Sequence, residues 1–321
     1  MTAAPRAMRS SHNQTPAAAA LRSIALTTCV CAGALAITPA LAQTGTPTPV
    51  QTDVSITGIG TFKTNLSDGG GSFNWGGGIV AASLGTQVNP QWTVGFNLSY
   101  AVESWSFSSP TAFGGQSPWG TINRPSVGFN VGYAVQPDLR VFVAPAFQWD
   151  YETNASMSAQ NFGAVVGVSK AFSRDQVIGL GLGVFHQIDA NRYFPFLIVN
   201  WKLDDKWKLA NPFRAGPTGG AGLEAVYTVD DNWEFAAGGT YRQYRFRLRE
   251  DGPNANGIGQ NQGIPLFARL SRKMGKDAQF DVYAGATVGG ALKLYDPNGN
   301  LLVKSDYTVA PFLAATFSAN F

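Results

Sequence analysis

The chain ends on a two-faced strand. Counting back by twos from Phe321 gives Ala319, Phe317, Ala315, Leu313, Pro311, Val309 and Tyr307, all apolar or aromatic. Between them lie Asn320, Ser318, Thr316, Ala314, Ala310 and Thr308, polar or small, with Phe312 the exception. Period-two alternation puts successive side chains on opposite faces of an extended strand. A chain built from this pattern to its last residue must fold as a sheet with one apolar face.

The pattern recurs upstream. The first predicted strand, 53–63, carries Val54, Ile56, Gly58, Gly60 and Phe62 on one face; the second, 73–85, carries Phe73, Trp75, Gly77, Ile79 and Ala81. The third is the clearest: Trp92, Val94, Phe96, Leu98, Tyr100 and Val102 alternate with Thr93, Gly95, Asn97, Ser99, Ala101 and Glu103. Similar sets follow at 127–135, 141–151, 162–168, 178–184 and 193–201, a short one at 206–213, then 223–229, 233–249, 264–273, 278–294 and 307–321. That makes fourteen predicted strands, or twelve if 206–213 and its partner do not reach across. Charged residues are only 13% of the chain and glycines number 37, yet the mean hydropathy is −0.03. Apolar residues are spread by alternation, the composition of an all-β protein.

The N-terminus reads as an export signal. Arg6, Arg9 and Arg22 precede the apolar stretch SIALTTCVCAGALAITPALA, which ends in the small-x-small site Ala40-Leu41-Ala42. The expected organisation is a cleaved signal over 1–42, a short periplasmic leader over 43–52 and a barrel over 53–321. The signal holds three arginines and no acid, so the mature chain has 23 − 3 = 20 basic and 20 acidic residues. With that balance nucleic acid is not an expected partner. Cys29 and Cys31 leave with the signal, so neither a disulfide framework nor thiolate chemistry is expected.

Connections of two kinds alternate along the chain. Tight ones (VNPQ, QPDL, SRDQ, LDDK, VDDN, GKDA) use turn-forming residues; looser ones span 104–121, 152–160, 250–263 and 295–306. Short turns at one end and long loops at the other describe an up-and-down transmembrane barrel. Three tight turns lead straight into Trp, at Trp92, Trp207 and Trp233, and Tyr100, Trp149, Tyr151 and Tyr193 lie near the far strand ends. Two aromatic rings at this spacing match interfacial girdles. A soluble sandwich also alternates, but has no reason to repeat turn-then-Trp at one edge.

The terminal strand, with Leu313, Phe317 and Phe321 in register, resembles the assembly signal of bacterial outer-membrane barrels. The segments WKLANP, GLEAVYTVDDNWEFAAGG and YRQYRFRL, within 201–249, resemble a family of outer-membrane barrels of unassigned function. The resemblance implies a fold, an outer-membrane location, and as partners the barrel-assembly machinery, membrane lipid and lipopolysaccharide. It implies no activity.

The residues argue against catalysis. His186 is the one histidine after residue 42, so no His or Cys metal cluster and no cofactor is expected. In VFHQID, position 188 is Ile, and no Ser stands two residues from His186 to serve as a nucleophile. The polar residues of inward parity are the informative ones: Glu103, Gln148, Asp150 and Glu224. In YRQYRFRLRE the apolar parity shifts, and a bulge near Arg242–Gln243 would keep Arg242, Arg245 and Arg247 inward, joined by Arg269. Acids on one wall facing arginines on the other would make a selectivity zone biased towards anions. Structural ion pairing, or contact with lipopolysaccharide phosphates, are the other roles open to these arginines. The expected function is passage of small solutes; a structural or surface-binding barrel is the alternative, and a lipid-modifying enzyme ranks last.

Overall fold

The computed structural model describes residues 49–156, 158–212 and 221–321. The signal segment, residues 43–48 of the leader, and Phe213 of the ninth predicted strand lie outside them. Eighteen strand segments form one sheet: β1 (Gln51–Thr61), β2 (Thr64–Asn65), β3 (Ser72–Gln87), β4 (Trp92–Ser108), β5 (Thr121–Gln136), β6 (Leu139–Trp149), β7 (Tyr151–Glu152), β8 (Gln160–Ala171), β9 (Gln176–Gln187), β10 (Ala190–Lys202), β11 (Trp207–Ala210), β12 (Gly222–Thr228), β13 (Trp233–Thr240), β14 (Arg242–Arg247), β15 (Ile258–Met274), β16 (Ala278–Tyr295), β17 (Leu301–Asp306) and β18 (Ala310–Asn320). Four pairs of segments (β1/β2, β6/β7, β13/β14, β17/β18) continue one another, giving 18 − 4 = 14 spans. The ring closes antiparallel where β1 meets β18, from Asp53↔Asn320 to Thr61↔Phe312. Closure removes both sheet edges, which backbone polar groups require in a bilayer.

The alternation appears as an apolar outer belt. Ile56, Leu98, Phe129, Phe147, Leu180, Leu197, Phe235, Leu266, Val282 and Phe317 are all exposed. On the last strand Leu313, Phe317 and Phe321 point outward and Phe312 inward, as the parity predicts. Phe321 exchanges backbone hydrogen bonds with Thr52 (2.8 and 3.1 Å), pinning the chain end to the first span. The second span differs from the simplest parity reading. Phe73 and Trp75 point into the barrel, and Val80, Ala82 and Leu84 take its outer face.

One device explains the three turn-then-Trp motifs. Asn89 Oδ1 accepts the N–H groups of Gln91 and Trp92, both at 2.9 Å. Asp204 Oδ1 does the same for Lys206 and Trp207 (2.8 and 2.7 Å), and Asp230 Oδ1 for Asn232 and Trp233 (2.8 and 2.9 Å). Each Asx side chain closes its turn and sets the indole at the start of the next strand. Trp92 then lies beside Tyr133 (4.7 Å between ring centroids) and Trp207 beside Tyr227 (5.0 Å), while Arg272 covers Trp233. At the loop end Tyr100 and Tyr193 are exposed, and Trp149 and Tyr151 are half-buried.

Three inward glycines, Gly167, Gly181 and Gly183, seat aromatic rings from the adjacent strand. A Cβ on Gly181 would overlap the Phe196 ring, one on Gly183 the Phe194 ring, and one on Gly167 the Phe142 ring. With Val165, Phe185 and Ile198 these rings form an apolar inner wall on β6, β8, β9 and β10.

Candidate functional site

At the loop end the ring does not stay fourteen strands wide. Up to Gly222↔Thr240, β12 pairs with β13, and the Tyr241 N–H still reaches Ala221 O at 3.3 Å. Beyond that point β14 keeps β15 on one side, but on the other it meets the fifth span. Arg247 pairs parallel with Tyr151 and donates to Asp150 O at 2.9 Å; Arg249 bridges Ala155, and Glu250 donates to Asn154 O at 3.1 Å. Glu152 buttresses this seam, accepting the N–H groups of Gly120 (2.8 Å) and Arg249 (3.0 Å). The eleventh span thus crosses the lumen and divides its upper part in two.

No bulge at Arg242–Gln243 accompanies this crossing. The pairs Gly239↔Leu266 and Arg242↔Gly263 keep one register, with no residue inserted on either strand between them. The apolar parity shifts because the strand leaves the wall and both its faces become interior. The irregularity lies instead in the pairing of β15 with β16, between Gln262 and Ile264, where Gly289 of β16 takes a φ of 60°.

The even-numbered face of β14 looks into a compartment ringed by spans one to five and eleven to fourteen. Phe246 and Leu248 join Phe73, Trp75, Trp105, Trp119, Leu292, Leu294 and Tyr307 there in one buried cluster. Trp119 meets Phe246 edge-on at 5.1 Å, and Trp75 stacks on Trp105 at 5.7 Å. Trp119 and Phe113 arrive from the loop between β4 and β5, which folds inward over the cluster.

Beneath this cap lies the first charge network. Glu103 Oε1 accepts Arg124 Nη1 at 2.7 Å and stands 3.5 Å from Arg242 Nη2. Arg124 Nε also lies 3.4 Å from Asp150, whose carboxylate accepts Gln148 (2.5 Å) and Asn161. The Tyr244 ring is held between the guanidinium groups of Arg124 (4.1 Å) and Arg242 (4.6 Å). Glu103 and Asp150 do share a zone with Arg242, as their heights along the strands suggest. Glu103 touches it directly, because β14 has crossed to that wall, and Asp150 joins through Arg124.

The other predicted residues separate into two further places. Arg269 forms a network on its own wall, with Glu224 at 2.6 Å and Asp281 at 3.3 Å. Arg245 and Arg247 are on the odd face of β14, in the second upper compartment. Arg245 pairs with Asp189 at 2.7 Å, donates to Gln260 at 2.8 Å and lies 4.2 Å over the Tyr295 ring. Arg247 donates to Asn256 O at 2.8 Å. Sequence reasoning missed Arg124, Asp281 and Asp189. The first two have inward parity on their strands and were legible by that rule. Asp189 sits in a turn, where no periodicity applies. His186 faces outward beside Phe162, with Nδ1 3.0 Å from Asn191 Oδ1.

No family model and no curated protein matches the chain. Among solved structures it is similar to an outer-membrane channel from Pseudomonas putida F1, at 8% identity and a TM-score of 0.46, covering 85% of this chain and 95% of that one. It is similar also to a deletion mutant of the TodX monoaromatic hydrocarbon channel (10%, TM-score 0.38, 85% and 90% covered) and to a FadL homologue of Pseudomonas aeruginosa (10%, 0.38, 84% and 89%). At these identities the likeness concerns the barrel fold alone.

Proposed function

We propose that this barrel spans the bacterial outer membrane and passes small solutes. The observation that carries the reading is the pairing of an apolar outer belt with an inner face that carries the polar and charged side chains. On β4, for example, Leu98 and Tyr100 face out while Thr93, Asn97 and Ser99 face the lumen. Such a belt is unfavourable in water by about 25 cal/mol per Å² and is satisfied by lipid. The aromatic cap blocks one upper compartment, so the solute path runs through the lower lumen and the second compartment. Catalysis has no part in this reading: the His186 imidazole has an amide as its polar partner and Ile at position 188.

Planar-bilayer recording on the refolded chain tests it. Discrete conductance steps are expected; a refolded, heat-modifiable barrel without conductance would leave the structural or surface-binding role. Membrane assignment has a separate check. Phe321 is the terminal outward aromatic and should be read by the assembly machinery, so its deletion should lower the outer-membrane level of the folded protein.

A further inference from the structure

The second upper compartment lies between the odd face of β14 with its neighbours on β15 and β16, and the inner face of β8–β10. Its boundary contacts are explicit: Asp189, in the turn between β9 and β10, reaches Arg245, and its carboxylate lies against Gly299 of the loop after β16. Among the described residues, four cations line this space. Arg245 and Arg247 come from β14, Arg192 from β10 and Lys293 from β16. Lys293 lies close enough to Arg192, Arg245 and Lys304 to feel their charge, and Arg247 to feel that of Arg245 and Asp189. Among the described residues, Asp189 is the one acid that pairs with any of the four. The local balance is therefore 4 − 1 = +3. Asp306, the next acid near Lys293, is held by Lys304 at 2.9 Å and does not change it.

One observation separates this cluster from a structural ion-pair network. Among the described residues, neither Arg192 nor Lys293 has an acid within ion-pairing distance, whereas Arg124, Arg242 and Arg269 each do. The Nε–H groups of Arg192, Arg245 and Arg247 are buried without a protein acceptor, as are those of Arg124 and Arg269; they supply free donors here but do not by themselves set the cluster apart. Uncompensated cations with unused guanidinium donors inside a low-dielectric wall favour an oxyanion, which a guanidinium recognises by a pair of parallel hydrogen bonds.

We propose that this compartment is a binding site for small multivalent oxyanions, carboxylate or phosphate, and that it sets the solute preference of the barrel. The second half of this statement rests on the channel reading; the first half does not. The site is interior, between two layers of strand, so the ligand is a free solute and not a lipid headgroup.

Titration calorimetry on the full refolded chain in detergent, with citrate and with inorganic phosphate as probes, tests the site directly. Arg192 and Lys293 are only half-buried, so Arg192→Gln with Lys293→Gln should leave the heat-modifiable fold intact. The double variant should bind citrate at least tenfold more weakly, and the charge-conserving Lys293→Arg should bind it nearly as well as the parent. Absence of binding by the parent, or equal binding by the Gln double variant, overturns the site. Bilayer recording in a salt gradient then separates the two claims. Conductance with an anion preference that the double variant loses supports both. Conductance with unchanged preference removes the compartment from selectivity. Citrate binding without conductance sinks the channel reading and keeps the oxyanion site.

Discussion

The two faces of β14 are both interior and do opposite things. On one face Phe246, followed by Leu248 just past the strand, enters an aromatic cluster; on the other Gln243, Arg245 and Arg247 are buried among polar groups. In an ordinary barrel strand, one of these faces would meet lipid and could not carry three such residues. The difference teaches that parity in a strand reports two environments, and not always an inside and an outside. Where a strand leaves the wall, both environments are interior, and polarity then tells which compartment each side chain serves.

The apolar side should be the more costly to damage. Phe246 is fully buried, lies against Trp119 and covers Gly259. Phe246→Ala removes a ring that the surrounding strands cannot collapse to replace. A loss of about 3–5 kcal/mol is expected, read as a fall in the midpoint of denaturant unfolding. A shift of a few tenths would mean that the cluster is loosely packed and that the cap does not hold the seam.

The seam beneath it should come next. Glu103 is the shared partner of Arg124 and Arg242, and all three are largely buried. Glu103→Gln leaves two guanidinium groups facing one neutral amide, with Asp150 as the nearest remaining acid. Breaking a buried pair from one side costs about 3 kcal/mol, because the surviving charge is stranded. The double variant Glu103→Gln with Arg242→Gln should recover part of that loss. If the single and double variants are equally stable, Arg242 is not coupled to the pair and the crossing strand needs no electrostatic anchor.

The fold was more legible in the sequence than the site, for a physical reason. Strand number, closure, turn end and the outward parity of Leu313, Phe317 and Phe321 all follow from alternation and turn chemistry, which are local. Even the turn-then-Trp motif has a local cause in Asn89, Asp204 and Asp230. The crossing of β14 is non-local. The sequence signals that something happens at Tyr241–Tyr244, since the apolar parity changes there. A bulge and a strand leaving the wall produce the same signature, and only the partner of Arg247 distinguishes them. For the same reason Glu103, Asp150 and Arg242 could be set at one height but not brought into contact, and Arg245 could not be assigned to Asp189.

The inner wall of the polar compartment offers a milder perturbation. Gly183 is where the Phe194 ring lies flat on β9. Gly183→Val places a branched side chain beneath that ring and forces it towards the lumen. Overpacking of this kind costs about 1–3 kcal/mol. Single-channel conductance should fall in the same variant, because the displaced ring narrows the path below Arg192. Reduced stability with unchanged conductance would place the solute path elsewhere.

The smallest effect concerns the loop that seats Asp189. Gly299 holds a φ of 86° and lies against the Asp189 carboxylate. Its loop is organised by Asp296, whose Oδ1 accepts the N–H groups of Asn298 (2.9 Å) and Asn300 (2.8 Å) and whose Oδ2 accepts the Asn300 side chain (2.8 Å). These hydrogen bonds, those from Asn300 foremost, favour the charged form and hold the Asp296 carboxyl below the usual carboxylate range. A depressed carboxyl contributes its stabilisation above its unfolded pKa, about 3.9, and loses it as pH falls through the folded value. The loop should therefore keep its order down to about pH 4 and loosen below it. Amide-exchange protection at Asn298 and Asn300, corrected for the intrinsic pH dependence of exchange, is the measurement. It should drop on acidification in the parent, while Asp296→Asn should show lower protection at neutral pH and little further change. Protection that is flat with pH in the parent would mean that the backbone alone shapes the loop. Asp189, the acid that pairs with Arg245 in the basic compartment, would then be seated by Gly299 without help from the charge on Asp296.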